Sequence, residues 1–299
     1  MDLDSSVPHT DTMTFAAALT ARCFPVTLEI TPPQRPLPTV LLRRAGLLGP
    51  CTPTINMIQR PSRQSSLDAS LHLRGEGFNP VWHLVNRGRT RAAIAADLAR
   101  ARDGGITQVL CIRGDHAGAD TSDTPPIREV TGMVRDGLPA ALIGVTLNQY
   151  APDRAAVLRN LLPKLAAGAG YVQTQPTFDL DTLRPFVETL RDHAPDTRIV
   201  PMVMPLLSIE AVRAIQTRLG IALPASLCRR IEQGGTTAAW QAFEETVVAL
   251  RQSKLADGLA IMTFEMDPVP ETGHRIITTL RAAGLTIDPP VGEETISSG

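Results

Sequence analysis

The sequence predicts an α/β chain folded as a single (β/α)8 TIM barrel with extra helices before the last strand. Three observations predict it. Short β-rich apolar runs alternate with longer amphipathic stretches along the chain, the pattern of parallel strands covered by helices. The runs number eight over 299 residues, which suits a barrel of about 250 residues plus insertions. No run is followed by G-x-G-x-x-G or G-x-x-x-x-G-K-S/T, the glycine turns usual in a doubly wound nucleotide-binding sheet.

In order, the strand candidates are Phe24–Ile30, Cys51–Met57, Pro80–Val85 and Gln108–Ile112 in the first half. Ala141–Thr146, Tyr171–Thr174, Arg198–Val203 and Leu259–Thr263 follow in the second. The helix candidates alternate with them: Leu37–Leu47, Ser66–Leu73, Arg91–Arg102, Pro126–Asp136, Arg154–Ala167, Asp181–His193, Ile209–Arg218 and Glu271–Ala283. The seventh unit is longer and carries two further helices, Ala225–Gln233 and Ala238–Ser253. Gly104-Gly105 and Gly234-Gly235 follow helical stretches and read as helix stops. Residues 1–20 read as an N-terminal extension, 21–285 as one catalytic barrel and 286–299 as a tail, with polar, frayed ends.

Composition narrows the partners. Lys+Arg 29 against Asp+Glu 30 leaves a net charge of −1, and aromatics are only 4%, so neither the basic excess nor the stacking platform of a nucleic-acid binder is present. The apolar run Phe15–Leu19 is too short for a signal-peptide core or a membrane span, so a cytoplasmic protein is expected. Cys23, Cys51, Cys111 and Cys228 lie far apart, without zinc spacing, and read as reduced thiols; no metal site is expected.

Barrel chemistry sits at the C-terminal strand ends, so polar residues there become candidates by position. Glu29 lies in the apolar run VTLEITPP. It is either a structural acid paired with Arg, or a general acid whose proton affinity is raised by desolvation. His83, in PVWHLV, is either a core histidine or a ligand contact. Arg113, Gly114 and Asp115 follow the fourth strand, where the glycine lets backbone approach a ligand, although a surface ion pair explains the charges equally well. Thr174 and Gln175 end the sixth strand, and a glutamine amide supplies the donor and acceptor that a pterin or pyrimidone edge needs. Their convergence on one mouth strengthens each reading.

These residues resemble the methylenetetrahydrofolate reductases. LEITPP, PVWHL, CIRGD, AGAGYVQTQPTFD, IVPMVMPLLS and LGIALPASL stand where that family reads FEFFPP, PHLTC, LRGD, DAGA-x-x-x-x-TQ-x-x-FD, PGI-x-P and V-x-IP, from about Phe24 to Thr279. The resemblance implies reduction of 5,10-methylenetetrahydrofolate to 5-methyltetrahydrofolate, with folate and NADH or NADPH as the small-molecule partners. It implies Glu29 as general acid, Asp115 and Gln175 as substrate contacts, and His83, Arg113, Gly114, Asn160 and Lys164 as cofactor contacts.

Departures fall on the flavin side. The family's Y-P-E-x-H-P segment is TLNQYAP here, placing Thr146, Leu147, Asn148 and Tyr150 where FAD contacts would lie. The next helix has Val157 and Pro163 in polar positions. The NRAEMS segment, with the arginine for the folate tail, is replaced by FEMDPVPET. Because folate-side residues are retained while flavin-side residues changed, direct hydride transfer without tightly bound FAD is the favoured expectation. FAD held by different contacts is the alternative. A tetrahydrofolate-dependent methyltransferase or demethylase, and a folate-sensing module, are the further readings.

Overall fold

A computed structural model describes residues 13–49, 51–114 and 122–285. Eight parallel strands close in chain order: β1 (Val26–Ile30), β2 (Thr54–Met57), β3 (Asn79–Val85), β4 (Gln108–Ile112), β5 (Leu142–Leu147), β6 (Tyr171–Pro176), β7 (Arg198–Val203) and β8 (Leu259–Met262). Closure is direct, with Leu28 opposite Ile261 and Glu29 opposite Met262. The (β/α)8 barrel expected from the sequence is the fold observed.

Alternation along each strand sorts side chains between two layers. Leu28, Ile30, Ile55, Met57, Trp82, Leu84, Val109 and Cys111 pack outward in the layer between strands and helices. Val81, Leu110, Tyr171, Val200 and Ala260 fill the lower interior of the barrel. Gly144 makes room for Tyr171, since a Cβ there would lie 2.2 Å from the tyrosine Cζ.

The floor comes from a helix that periodicity did not reveal, α1 (Phe15–Thr20), within the segment read as an extension. Thr14 caps it, its Oγ1 accepting from the Ala17 N–H at 3.2 Å. Phe15 and Leu19 close the lower interior: the Phe15 ring meets Tyr171 edge-on with centroids 5.7 Å apart. Arg198 Nε also donates to the Leu19 carbonyl at 3.1 Å. Residues 1–12 of the expected extension and the expected tail at 286–299 lie outside the described residues.

Helices α2 (Pro38–Ala45), α3 (Ser66–Gly75), α4 (Arg91–Asp103), α5 (Ile127–Gly137), α6 (Arg154–Ala166), α7 (Leu180–His193) and α10 (Pro270–Ala282) form the outer ring. Ser65, Thr90, Asp153 and Asp179 cap α3, α4, α6 and α7, so these helices start sharply just after the strands that feed them. Between β7 and β8 run α8 (Ile209–Leu219) and then the long α9 (Ala225–Gln252), which holds the extra helices expected there. Its two expected helical pieces join end to end and kink at Gly235, whose φ of 55° and ψ of −146° are not helical. Val212, Ile215, Leu223 and Ile231 make a satellite core there that reaches Met262 and Phe264 beside the barrel mouth.

Candidate active site

Glu29 is the penultimate residue of β1 and faces the barrel axis, since Leu28 and Ile30 on either side pack outward. Its Oε2 accepts a 2.7 Å hydrogen bond from Gln173 Nε2. Strands β1 and β6 are not neighbours, so this bond crosses the interior one layer above Tyr171. Burial raises the carboxyl pKa to about 7, against the opposing effects of the Gln173 bond and the charge of Arg60. A carboxyl poised near neutrality can deliver a proton and exist as its conjugate base in one catalytic cycle.

The same layer is polar around the axis. Asn56 Nδ2 donates to Thr27 Oγ1 at 2.7 Å. Asn56 Oδ1, His83 Nε2 and Gln173 Oε1 are buried without a hydrogen-bond partner. Unpaired buried polar atoms each cost about 1 to 3 kcal/mol, and such a concentration at a strand-end layer is the pattern of a site whose polar partner is a ligand. His83 is wholly enclosed, and burial pushes its pKa down to about 3, so the imidazole is neutral.

The β6 end carries two residues the sequence reading named and one it missed. Gln175 faces the mouth, half-buried, with its backbone clamped by Gln149: the Gln149 amide donates to the Gln175 carbonyl at 2.8 Å and accepts from the Gln175 N–H at 3.1 Å. Thr174 turns the other way, where its hydroxyl accepts from the Met202 N–H at 3.1 Å and patches a bulge between β6 and β7. Gln173, two residues before Gln175, shares its face and holds the acid. Period-two alternation in YVQTQ contains that pairing.

After β4, Gly114 sits at φ 85°, and a Cβ there would come 2.5 Å from Val85 Cγ1, so the position admits glycine alone. Arg113 is exposed, and its carbonyl accepts from the Arg87 N–H at 3.1 Å. Asp115 lies outside the described residues.

The other cofactor candidates are not brought to Glu29. Asn160 is exposed on α6. Lys164, in the last turn of α6, lies in the layer outside the strands, where burial lowers its pKa and Cys111 is its electrostatic neighbour. The wall of strands separates both from the axis. Pro163 interrupts the donors of that helix, and Val157 packs against the strand–helix core. In the TLNQYAP segment, Gln149 is spent on β6, and the Tyr150 hydroxyl donates to the Pro176 carbonyl at 2.6 Å.

Beside Glu29 a cavity of about 290 Å³ opens between β1 and β8. Its wall includes Arg60 and Arg218, two further residues that the sequence reading did not single out. The four cysteines are all free thiols. Among the described residues no cluster of three His, Cys, Asp or Glu could hold a metal, and no helix is long and apolar enough to cross a membrane.

A closed (β/α)8 barrel whose strand ends surround a buried carboxyl with its pKa raised to about 7 defines the class: a barrel with a candidate acid–base group at its C-terminal mouth. The family profile of methylenetetrahydrofolate reductase matches residues 14–265, and the chain belongs to that family. It is 26% identical over 184 residues to the "Probable methylenetetrahydrofolate reductase (NADPH)" of Caenorhabditis elegans, a match covering 58% of this chain and 28% of that protein. It is 22% identical over 170 residues to "Methylenetetrahydrofolate reductase 2" of Schizosaccharomyces pombe (strain 972 / ATCC 24843), covering 50% and 26%. The matches thus span little more than a quarter of those relatives. Among solved structures, the EDTA monooxygenase of Chelativorans sp. BNC1 superposes with a TM-score of 0.56 at 10% identity, over 88% of this chain and 95% of that one, a likeness of fold alone.

Proposed function

We propose that the protein reduces 5,10-methylenetetrahydrofolate to 5-methyltetrahydrofolate with hydride taken directly from NADH or NADPH, without a tightly bound flavin. The observation that carries this reading is Glu29, buried at the mouth, held by Gln173 and raised to a pKa of about 7, so that both its protonated and ionised forms are populated at neutral pH. Its proton passes to N10 of the substrate as the C–N10 bond of the five-membered ring breaks, leaving an iminium at N5. The carboxylate formed lies beside that cation and stabilises it. Hydride from C4 of the dihydronicotinamide then adds to the iminium carbon, giving the methyl group and oxidised nicotinamide, and a solvent proton restores Glu29. The step requires only that the two rings stack within near-attack distance.

Family membership and the retained Glu29 and Gln175 support the folate side. On the flavin side, the residues present fit FAD poorly. Gln149 and Tyr150 bind β6, Val157 is packed, and Lys164 lies outside the strand wall. As the family resemblance implies, Gln175 and Asp115 are assigned to the pterin, and His83, Arg113 and Gly114 to the cofactor side.

The test is NAD(P)H oxidation by purified protein with and without methylenetetrahydrofolate, together with its visible spectrum. The reading expects folate-dependent oxidation by a colourless protein, unchanged by added FAD. A stoichiometric flavin spectrum would overturn the flavin-free part alone. No folate-dependent oxidation in either state would remove the reductase assignment and favour methyl transfer or folate sensing.

A further inference from the structure

Arg60 follows β2 and Arg218 lies in the last turn of α8, so two elements distant in sequence bring cationic side chains to the cavity that begins at Glu29. Neither arginine forms an ion pair among the described residues. Arg60 Nε is buried without a hydrogen-bond partner. The Arg218 guanidinium lies over the Phe264 ring at 6.0 Å, and burial, followed by the like charge of Arg60, lowers its pKa. The third arginine of the wall is already engaged: Arg44 donates to the Thr31 carbonyl at 2.8 Å and stands 3.6 Å from Asp267. Of the carboxylates lining the cavity, Glu29 makes its hydrogen bond to Gln173 and is partly protonated at pH 7, and Glu265 is exposed.

Two like charges facing one cavity repel unless an anion lies between them. The wall between Glu29 and these arginines carries an apolar part, Leu47, Ile58, Met262 and Phe264, beside Thr31 and Thr263. An occupant reacting at Glu29 and ending at the arginines therefore needs an apolar, flat middle and an anionic end. A folate joins its reactive ring to its glutamate carboxylates through an aryl group. A nicotinamide nucleotide joins its ring to phosphate through a hydroxylated ribose, which suits that wall poorly.

We propose that Arg60 and Arg218 form an anion clamp that takes the glutamate carboxylates of the folate substrate, with the aryl group lying along the apolar wall. The clamp rests on the reductase reading and deepens it. It supplies the tail contact from the β2 and α8 sides of the mouth, in a chain whose segment after β8 offers FEMDPVPET.

Calorimetric titration of the full chain tests it, using 5-methyltetrahydrofolate, 5-methyltetrahydropteroate, which lacks the glutamate, NADH and NADPH. The wild type is expected to bind the folate at least about tenfold more tightly than the pteroate, as befits charge-assisted carboxylate contacts. Arg60→Met and Arg218→Met each erase most of that preference while leaving pteroate and NADH affinities in place. Wild type that binds folate and pteroate alike overturns the clamp and leaves the reductase reading standing. Wild type that binds neither pterin ligand overturns that reading and the clamp with it. If the Arg218→Met variant loses NADPH affinity and keeps folate preference, the arginines hold a nucleotide phosphate and the clamp is refuted. The wild-type comparison stands even where a variant fails to fold, which circular dichroism reports.

Discussion

The two sides of the barrel mouth differ in how their polar groups are used. On the β8–β1–β2 side, Glu29 adjoins a cavity, Arg60 and Arg218 have no ion pair among the described residues, and Asn56 keeps an unpaired carbonyl oxygen. On the β5–β6 side, Gln149, Tyr150, Thr174 and Thr177 bond to one another and to the β6 backbone. One side holds polar atoms ready for a ligand. The other has used them to set the strand end. A side chain can hold backbone or hold a cofactor with the same atoms, and here the sequence change from the family pattern coincides with the first use.

The sharpest break of that contrast is at Glu29. Replacement by Gln keeps the volume and an amide partner for Gln173 but removes the proton, and turnover should fall about 10²-fold or more in steady-state assays. Unchanged turnover would return Glu29 to a structural role.

The next effect is on stability. Glu29 is raised from 4.5 to about 7 on folding, so the folded state binds the extra proton and stability falls as pH rises through that window, by about 3 kcal/mol in all. His83 is lowered from 6.5 to about 3, so its contribution is complete above 6.5 and is lost as pH falls. Between pH 4.5 and 6.5 the two slopes oppose and nearly cancel. Denaturant melts should show Glu29→Gln gaining stability with rising pH across that window relative to wild type, and His83→Asn losing it. Parallel curves for all three would show that the two groups are not desolvated as described.

On the closed side, Gln149→Leu removes the amide that clamps Gln175, and should cost about 2 kcal/mol in denaturant melts while weakening folate binding. Tyr150→Phe removes only the hydroxyl bond to Pro176 and should cost about 1 kcal/mol, with turnover unchanged and no gain of flavin. A Tyr150→Phe protein that binds flavin where the wild type does not would show that this bond, rather than the whole segment, decides whether the cofactor is held.

Much of this was legible before any coordinates. Eight apolar runs separated by amphipathic stretches specify a barrel because strand and helix periods differ and each run is buried on both sides. Glu29 stood out because an ionisable group inside such a run must be paired or functional. Gln173 did not, because attention to the strand end favoured Thr174 and Gln175, whereas side-chain direction depends on alternation from the strand start. Arg60 and Arg218 were hidden for another reason: each lies among other charges in a loop or at a helix end, and only the fold brings them to one cavity. Helix α1 escaped because six residues are too few to establish a period. Lys164 matched the family by position, and its burial on the far side of the strands is a property of packing that position alone does not carry.

That short helix also ties the first residues of the fold to the chemistry. Phe15 supports Tyr171, and Tyr171 lies directly beneath the layer in which Gln173 meets Glu29. The dryness that raises the proton affinity of Glu29 is therefore maintained from below by a residue belonging to no strand. A smaller side chain at position 15 is expected to admit water beneath the acid without touching it, making this six-residue stopper a remote tuning screw for the proton affinity of the buried carboxyl.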